Sequence, residues 1–404
     1  MYLNLSWRNI WRNKKRTLIA LASVFFAVIT AVNMRSMQLG SYAYMIHSTA
    51  RFYNGYLQIQ NKQYWEKRSL ENSILQDSLD FSRLKQVHHV LGLAPRLEAF
   101  TLLSFGNTTR VGQIIGIDPE QEDQVTNLKT RLIAGKYLRQ DDYAALVSKG
   151  LAQMLGLSLG DSLVLYGQAY HGQIAAALLP VKGIIEYPIR ELNNSMVYIP
   201  LQAAQDIFLM PGRLTSVAIM IDENRHLNDV KQKVARLIPP HYRVIDWPTM
   251  LPELHQSIQF DNISGMLMLA ILYVVIAFGV FGTIVMMISE RVREFGILIA
   301  VGMKKTRLLI VTFGEIVFIS LIGALTGILG ALPIVYYFAS HPIRFTGEAA
   351  RSFDALGIEP VFNFSTDPTI FLNQALVVFL IALATFAYPI FFIKKLEPDK
   401  ALRS

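Results

Sequence analysis

The 404-residue chain contains no cysteine, so disulfide bonds cannot stabilise it and no thiol nucleophile is available. A P-loop of the form G-x-x-x-x-G-K-[ST] is also missing, because residues 302–306 (Gly-Met-Lys-Lys-Thr) lack the first glycine. No H-E-x-x-H helix occurs, and adjacent His88 and His89 would point apart on a strand, which disfavours a metal site there. The sequence therefore predicts a non-catalytic chain that carries no metal or cofactor of its own.

Charge is scarce as well. Only 17% of the residues are charged and 52% are hydrophobic, a balance typical of a membrane protein with a substantial soluble part. Four apolar runs are long enough to cross a ~30 Å hydrocarbon core, namely residues 17–34, 263–288, 308–338 and 369–393. The sequence predicts an α-helical membrane protein with four transmembrane helices and a large α+β extracytoplasmic domain, residues 35–262, between helices 1 and 2.

Acidic residues are few in the segments that flank these runs. Residues 1–16, 289–307 and 394–404 together carry 14 basic and 4 acidic residues, whereas residues 35–262 carry 22 basic and 21 acidic ones. Because basic flanks stay on the cytoplasmic side, both termini and residues 289–307 are expected in the cytoplasm. The large domain and the short loop 339–368 are then outside. The net charge of +8 reports this orientation, and no nucleic-acid partner is expected.

The N-terminal segment 1–16 has a helical pattern. Leu3, Trp7, Ile10 and Trp11 recur on one face, which is typical of an amphipathic helix in the membrane interface, although a basic flank that merely contains tryptophan gives the same pattern. A cleaved signal peptide is the alternative for the first 34 residues. The long basic region and long apolar run favour an uncleaved anchor.

The outer domain alternates strand and helix patterns. Predicted strands are residues 56–60, 113–117, 144–147, 162–166, 180–185, 196–199, 216–221 and 242–245, and predicted helices are residues 149–155, 201–208 and 227–238. The last strand–helix–strand run resembles a separate βαβ-type subdomain. Residues 34–52 and 248–262 are expected to extend the first and second spans outward as helical stalks, the latter starting at a proline.

The most informative segment is the short charged hinge at residues 289–307, between the second and third apolar runs. Charges at its two ends exclude it from lipid, while its apolar middle requires a partner surface. In the third run, Glu315 is an ionisable residue within a membrane helix, and is therefore expected either to pair with a neighbouring helix or hinge residue or to contact protons or substrate. Gly323, Gly327 and Gly330 lie at spacings that predict close helix packing, within the chain or across a dimer.

Residues 290–302, Glu-Arg-Val-Arg-Glu-Phe-Gly-Ile-Leu-Ile-Ala-Val-Gly, resemble the E-R-x-x-E-x-G-x-L-x-A-x-G signature of FtsX-like ABC transporter permeases. Phe295 stands where isoleucine is more usual. Weaker matches, which include those to a MacB-type periplasmic core, follow in order along the chain at residues 7–17, 55–59, 115–119, 155–161 and 397–403.

This resemblance implies a non-catalytic permease subunit in the cell inner membrane with a periplasmic domain. It implies a separate ABC ATPase subunit that carries ATP and Mg, and a second permease, identical or homologous. The hinge corresponds to the family's coupling helix, so the residues expected to contact or position the ATPase are Glu290, Arg291, Glu294, Phe295, Gly296, Leu298, Ala300 and Gly302. Phe295, Ile297, Leu298 and Val301 are expected to form the apolar docking face.

The resemblance further implies mechanotransmission, in which ATPase closure moves the stalks and expels a molecule on the outer side. Release of lipoproteins or lipids from the outer leaflet, with a periplasmic acceptor, is the favoured function because no ATPase domain precedes the first span. MacB-like export of peptides, toxins or drugs and FtsX-like control of a cell-wall hydrolase are the alternatives. A membrane-anchored scaffold without an ATPase is disfavoured by the hinge signature.

Overall fold

The computed structural model describes residues 2–12, 14–344, 347 and 361–397, apart from the side chains of residues 2–4 and 16. The chain divides into two compact units. The helical unit comprises Met1–Tyr42, Ser257–Ile343 and Val361–Ser404, and the sheet unit comprises Ala43–Gln256 and Arg344–Pro360. The predicted loop 339–368 and tail 394–404 lie partly outside the described residues.

The described helices are α1 Tyr2–Arg12, α2 Lys14–Thr49, α3 Phe81–Lys85, α4 Pro119–Thr126, α5 Lys149–Leu155, α6 Arg190–Asn193, α7 Leu201–Ile207, α8 Leu227–Leu237, α9 Trp247–Met250, α10 Pro252–Ser289, α11 Val292–Ala300, α12 Lys305–Ser340, α13 Pro368–Ala384 and α14 Ala387–Lys395. Four helical segments are long and apolar enough to cross a membrane: Thr17–Asn54, Pro252–Ser289, Lys305–Ser340 and Pro368–Lys395. The predicted fold class, four membrane helices with an α+β domain after the first, is confirmed.

The described strands are β1 Leu57–Asn61, β2 Ile74–Leu75, β3 Val90–Phe105, β4 Thr108–Ile117, β5 Leu132–Gly135, β6 Ala145–Ser148, β7 Ser162–Gln168, β8 Ile174–Ile185, β9 Met196–Pro200, β10 Arg213–Leu214, β11 Ser216–Ile221, β12 Tyr242–Asp246, β13 Ile343–Arg344 and β14 Val361–Phe362. Ten of them form one sheet in the order β12-β1-β11-β3-β4-β9-β6-β8-β5, with β7 paired to β3 and β8. The β4–β9 and β6–β8 pairs are parallel, and the other pairs in this sheet are antiparallel.

Both faces of this sheet carry a core, because neighbouring side chains on a strand point to opposite sides. Ile114 belongs to a cluster with residues of α5 and α7, whereas Ile115 belongs to a second cluster with Leu128 and Tyr187. Packing on both faces therefore stabilises the cysteine-free unit.

A buried ion pair joins strand β3 of the sheet to helix α4. Arg96 on β3 donates to Glu122 on α4 at 2.8 and 2.7 Å, and both side chains are fully buried. Arg96 Nη1 also donates to the carbonyl oxygen of Tyr53, at 2.6 Å, and its guanidinium lies over the Tyr53 ring. Tyr53 belongs to the π-helix Ala50–Asn54, which continues α2.

A second arginine holds the same π-helix. The guanidinium carbon of Arg131 lies 4.6 Å from the centre of the Phe52 ring and 5.1 Å from that of Tyr187. Cation–π contacts in buried surroundings are worth about 2 kcal/mol. Within the sheet unit, the end of the first long helix is thus fixed by residues of the core.

The predicted strands and helices of the outer domain are present, although β4 and β8 begin five and six residues before their expected starts. Seven elements of this domain were not predicted, namely α3, α4, α6, β2, β3, β5 and β10. The prediction of a separate βαβ-type subdomain is wrong. Strands β11 and β12 both pair with β1, and β11 also pairs with β3, so they belong to the common ten-stranded sheet.

The stalk segments are helical, with one correction. Helix α2 runs unbroken to Thr49, but α10 begins at Pro252 and is separated from α9 by Leu251, which has φ −127° and ψ 65°. The residue before a proline is disfavoured in helical conformation, and this explains the break.

The expected strand geometry at His88 and His89 is also wrong. Both residues precede β3 in a turn, His89 has a φ of 77°, and their ring centres lie 3.9 Å apart.

We expect Glu122→Gln to destabilise the chain by about 3–5 kcal/mol, because it leaves the buried guanidinium of Arg96 without its counter-ion. Lys149→Met serves as the matched control, since it breaks a half-exposed pair with Glu186 and should cost at most about 1 kcal/mol. Thermal unfolding of the purified full chain measures both effects. Equal effects of the two substitutions would contradict a stabilising role for the buried pair.

Candidate functional site

The hinge contains one short helix, α11, which is separated from α10 by two residues and from α12 by four. Arg291 occupies its N-cap position, and the Phe295 N–H donates to the Arg291 carbonyl oxygen at 2.9 Å. Glu294 lies in the first turn, where a carboxylate interacts favourably with the positive end of the helix dipole.

Gly302 ends this helix. Its φ of 104° is a conformation that side chains disfavour, and its N–H donates to the Ile299 carbonyl oxygen at 3.0 Å. The next N–H, of Met303, donates to the Leu298 carbonyl oxygen at 2.9 Å. This pair of bonds is a Schellman motif, which satisfies the last carbonyl groups and turns the chain towards α12. The geometry explains why this hinge position carries glycine.

The inner face of α11 is buried within the helical unit. The Phe295 ring is 1% exposed and belongs to the core cluster, and Gly296 is buried beside it. The expectation that Phe295 contributes to an exposed docking face is therefore wrong. Its contacts fix the position of α11 on its own chain.

The outer face of α11 is apolar and exposed. Val301 is 84% exposed and Ile297 47%, and Ala300 is exposed between them. Leu298 is partly buried against the core cluster. Glu290 and Arg293 are exposed at the start of the hinge, while Lys304 and Arg307 are exposed at its end. We call Ile297, Ala300 and Val301 the outer face of α11.

A buried ion pair lies beneath this helix. Arg291 Nη1 donates to Glu315 Oε2 on α12 at 2.5 Å, and the two side chains are 7% and 3% exposed. Asn9 Nδ2 on α1 donates to the other carboxylate oxygen of Glu315 at 2.7 Å. Both oxygens of this carboxylate therefore accept hydrogen bonds. Glu315 therefore pairs with a hinge residue, which is one of the alternatives expected from the sequence.

The network continues to the surface. Arg291 Nε donates to Glu294 Oε2 at 3.2 Å, and Arg12 Nη2 on α1 donates to the same oxygen at 2.8 Å. The Ser6 hydroxyl donates to the Val311 carbonyl oxygen at 2.9 Å and packs closely against Gly314. Helices α1, α11 and α12 are thus joined by direct polar contacts.

The three glycines of α12 face α2. A Cβ atom at Gly323 would lie 2.7 Å from the Cβ of Val24, and one at Gly327 would lie 2.7 Å from the Cβ of Val28. At Gly330 the nearest atoms belong to Ile29 and Phe25. These distances are shorter than carbon atoms tolerate, so the close approach of the two helices depends on the missing side chains.

A second polar cluster, which was not predicted, lies between α2 and α10. Arg35 Nη1 donates to Gln38 Oε1 at 2.6 Å and to Asn262 Oδ1 at 3.0 Å, and the Tyr42 hydroxyl donates to Asp261. The sequence signal was the spacing of Arg35, Gln38 and Tyr42, which puts them on one helical face. Their partners are more than 200 residues away, and this distance hid the cluster from sequence reasoning.

Residues 156–160, Gly-Leu-Ser-Leu-Gly, have the spelling G-x-S-x-G of a nucleophile elbow. That elbow requires a strand, a sharp turn and then a helix. Here the order is reversed, because the segment follows α5 and precedes β7. The Ser158 N–H donates to Asp161 Oδ2 at 2.8 Å, so the segment is a turn between α5 and β7 and not a nucleophile elbow.

Comparison with known families is consistent with this geometry. Residues 17–237 match the family model of the MacB-like periplasmic core domain, and residues 266–398 match that of the FtsX-like permease C-terminal region. The first match spans more than half of the chain, and the second includes the hinge, α12 and α13.

Individual relatives are distant. The chain is 26% identical over 254 residues to the lipoprotein-releasing system transmembrane protein LolC of Xylella fastidiosa strain 9a5c, covering 61% of each chain. It is 22% identical over 349 residues to the probable export ATP-binding/permease protein MacB of Pseudomonas entomophila strain L48, covering 83% of this chain and 51% of that protein. The chain thus spans about half to three fifths of the length of these relatives.

Among solved structures, the periplasmic region of MacB from Actinobacillus actinomycetemcomitans superposes with a TM-score of 0.35 at 14% identity, covering 49% of this chain and 92% of that chain. This likeness is too low to add to the assignment.

We expect Glu315→Gln to destabilise the helical unit by about 3–5 kcal/mol, because Arg291 then loses its buried carboxylate partner and keeps only the 3.2 Å contact with half-exposed Glu294. Arg12→Gln is the matched control, since it removes an exposed contact of the same network and should cost at most about 1 kcal/mol. Thermal unfolding of the detergent-solubilised chain distinguishes the two. If Arg12→Gln costs as much as Glu315→Gln, the buried pair is not what joins α11 to α12.

Proposed function

Because the chain belongs to the FtsX-like permeases with a MacB-like periplasmic core, we propose that it is the membrane subunit of an ABC transporter and that a partner ATPase docks on α11. The four apolar helices and the relatives indicate an inner-membrane protein with a periplasmic domain. The observation that carries the proposal is the division of α11 into an exposed outer face and a buried inner face joined to Glu315.

The outer face of α11 has the properties of a docking surface. Ile297, Ala300 and Val301 form an exposed apolar strip, and charged residues stand at both ends of the hinge. An apolar centre with a polar rim is the usual anatomy of a protein interface. The excess of basic residues in the flanking segments supports a cytoplasmic location for this surface, where ATP is available.

The inner face of α11 supports transmission of force. A displacement of α11 acts on α12 through Arg291 and Glu315, and on α1 through Asn9. Helix α12 in turn packs closely against α2, because Gly323 and Gly327 place no side chain between the two helices. Close packing and buried charge pairs resist separation, so these helices would move together.

The lengths of α2 and α10 support the stalk interpretation. Their 36 and 38 residues correspond to about 54 and 57 Å of helix, well beyond a ~30 Å hydrocarbon core. Within the helical unit they are tied by the Arg35–Asn262 and Tyr42–Asp261 contacts. Within the sheet unit, Arg96 and Arg131 hold the π-helix that follows α2. Motion of the membrane helices would therefore be delivered to the periplasmic domain.

We further propose that the cargo is a lipoprotein or lipid and that the working complex contains two permeases. The LolC relative of this chain is named for lipoprotein release, and α10 exposes apolar side chains, among them Phe260, Met266 and Ile271, that suit contact with acyl chains. Export by a MacB-like mechanism is the second candidate, because the MacB relative aligns over a larger share of the chain.

The docking proposal predicts that Ile297→Asp combined with Val301→Asp abolishes co-purification of the ATPase and the permease-stimulated part of its turnover. The carboxylates would be buried without partners in the interface, which costs several kcal/mol. Leu91→Asp, at an exposed apolar position of the sheet unit, is the control and should leave both measurements unchanged. Normal ATPase binding by the double variant would refute docking on this face.

The cargo proposal predicts that photocrosslinking residues at Phe260 and Met266 capture an acylated protein or lipid in the absence of ATP, and that capture is lost when ATP is supplied. Phe391, an exposed position on α14, is the control site and should capture bulk lipid irrespective of ATP. Capture of unmodified peptides would favour MacB-like export instead. Capture of a hydrolase by probes on the sheet unit would favour FtsX-like control.

A further inference from the structure

Two histidines and one aspartate meet in the sheet unit, away from the hinge and the membrane helices. His89 directly precedes β3, Asp222 directly follows β11, and His226 ends a short 3₁₀-helix, Asn224–His226, that leads into α8. Strands β3 and β11 are neighbours in the sheet, so His89 and Asp222 lie at the same end of adjacent strands. The Asp222 N–H donates to the His89 carbonyl oxygen at 3.2 Å, which fixes the two backbones to each other.

The atoms of these side chains that could ligate a metal ion lie close together. His89 Nδ1 lies 2.7 Å from Asp222 Oδ2, and His226 Nδ1 lies 2.9 Å from Asp222 Oδ1. One potential ligand atom from each residue falls within 4.8 Å of the other two. The three side chains are 21%, 35% and 23% exposed, so they are held in place yet open to solvent.

The backbone is arranged to bring about this convergence. His89 has a φ of 77°, in the left-handed region that non-glycine residues rarely adopt. The register of β3 and β11 shifts between Met220 and Ile221, directly before Asp222. A strained residue and a β-bulge side by side are features that often mark functional sites.

The charges around the cluster favour a cation. The hydrogen bonds that the structure describes to the Asp222 carboxylate come from two imidazoles and the Glu223 N–H, none of which is a fixed cation. Nearby Glu223 forms an ion pair with Arg225 at 2.7 Å, and Asp229 forms one with Lys233 at 2.6 Å, so these two carboxylates are neutralised by their own partners. With neutral imidazoles the cluster therefore retains one negative charge.

We propose that His89, Asp222 and His226 bind one divalent transition-metal cation of the zinc class. Imidazole nitrogen and carboxylate oxygen are ligands that Zn²⁺ accepts, at about 2.0–2.2 Å, and three protein ligands leave a fourth position for water or a partner's side chain. The site requires no cysteine, in keeping with the composition of the chain.

Binding requires a small local rearrangement. The two imidazole rings are stacked, with centres 3.5 Å apart and planes inclined by 19°, whereas each lone pair must point at the ion. Rotation about the χ2 torsion, which is soft in histidine, tilts the rings apart without moving the backbone. The ion would then tie the ends of β3 and β11 to the start of α8.

Zinc titration of the full chain tests this proposal. The protein is purified in detergent with a tag that contains no histidine, dialysed against a chelator and titrated with Zn²⁺ in competition with a chromophoric chelator. We expect one Zn²⁺ per chain, and at least about tenfold weaker binding in Asp222→Asn and in His226→Gln. His241→Gln, at an exposed histidine outside the cluster, should bind as the wild type does.

Failure of the wild-type chain to take up one equivalent of Zn²⁺ overturns the proposal, whatever the variants do. Uptake that is unchanged in both Asp222→Asn and His226→Gln also overturns it. Circular dichroism of each variant checks folding, and Co²⁺ absorption of the wild type gives a second measurement that requires no substitution. A Co²⁺ spectrum without the intense visible bands of a four-coordinate nitrogen and oxygen site overturns the assigned geometry.

Discussion

The helical unit depends on one interaction, the buried pair of Arg291 and Glu315. An ionised carboxylate within an apolar helix is tolerated only when a partner compensates its lost hydration, and here the partner comes from the hinge. The pair therefore determines where α11 lies on α12, and Asn9 adds α1 to the same carboxylate. Separation of α11 from α12 leaves a buried charge without its partner, and displacement of α1 removes one hydrogen bond from the same carboxylate.

The residues of the hinge signature differ in how deeply they are buried. Arg291, Phe295 and Gly296 are buried, and their task is to hold α11, whereas Ile297 and Val301 remain available to a partner. Gly302 has a third task, because its left-handed backbone ends the helix. The motif thus contains buried positioning residues, exposed residues and one chain-reversal residue, and substitutions at these three kinds of position are expected to differ in their effects.

Sequence reasoning succeeded where a local pattern determines the structure and failed where distant residues do. Strands such as Ser216–Ile221 have an apolar run bounded by turn residues, and Glu315 was conspicuous among apolar neighbours. Strand β3 was not predicted because Pro95, Arg96 and Glu98 interrupt its apolar pattern. The buried partner of Arg96, Glu122, lies on another element. Asn9 and Glu315 are 306 residues apart, and His89 and Asp222 are 133 apart. Such pairs are visible only once the chain is folded.

The π-helix Ala50–Asn54 has a mechanical consequence. Two neighbouring aromatic residues, Phe52 and Tyr53, are each covered by a different arginine of the sheet unit, Arg131 and Arg96. A helix end held at a single point would swivel, so rotation about its axis would be lost at the joint. An end held at two side chains resists twisting about its own axis, so within the sheet unit these five residues are fixed in orientation as well as in position.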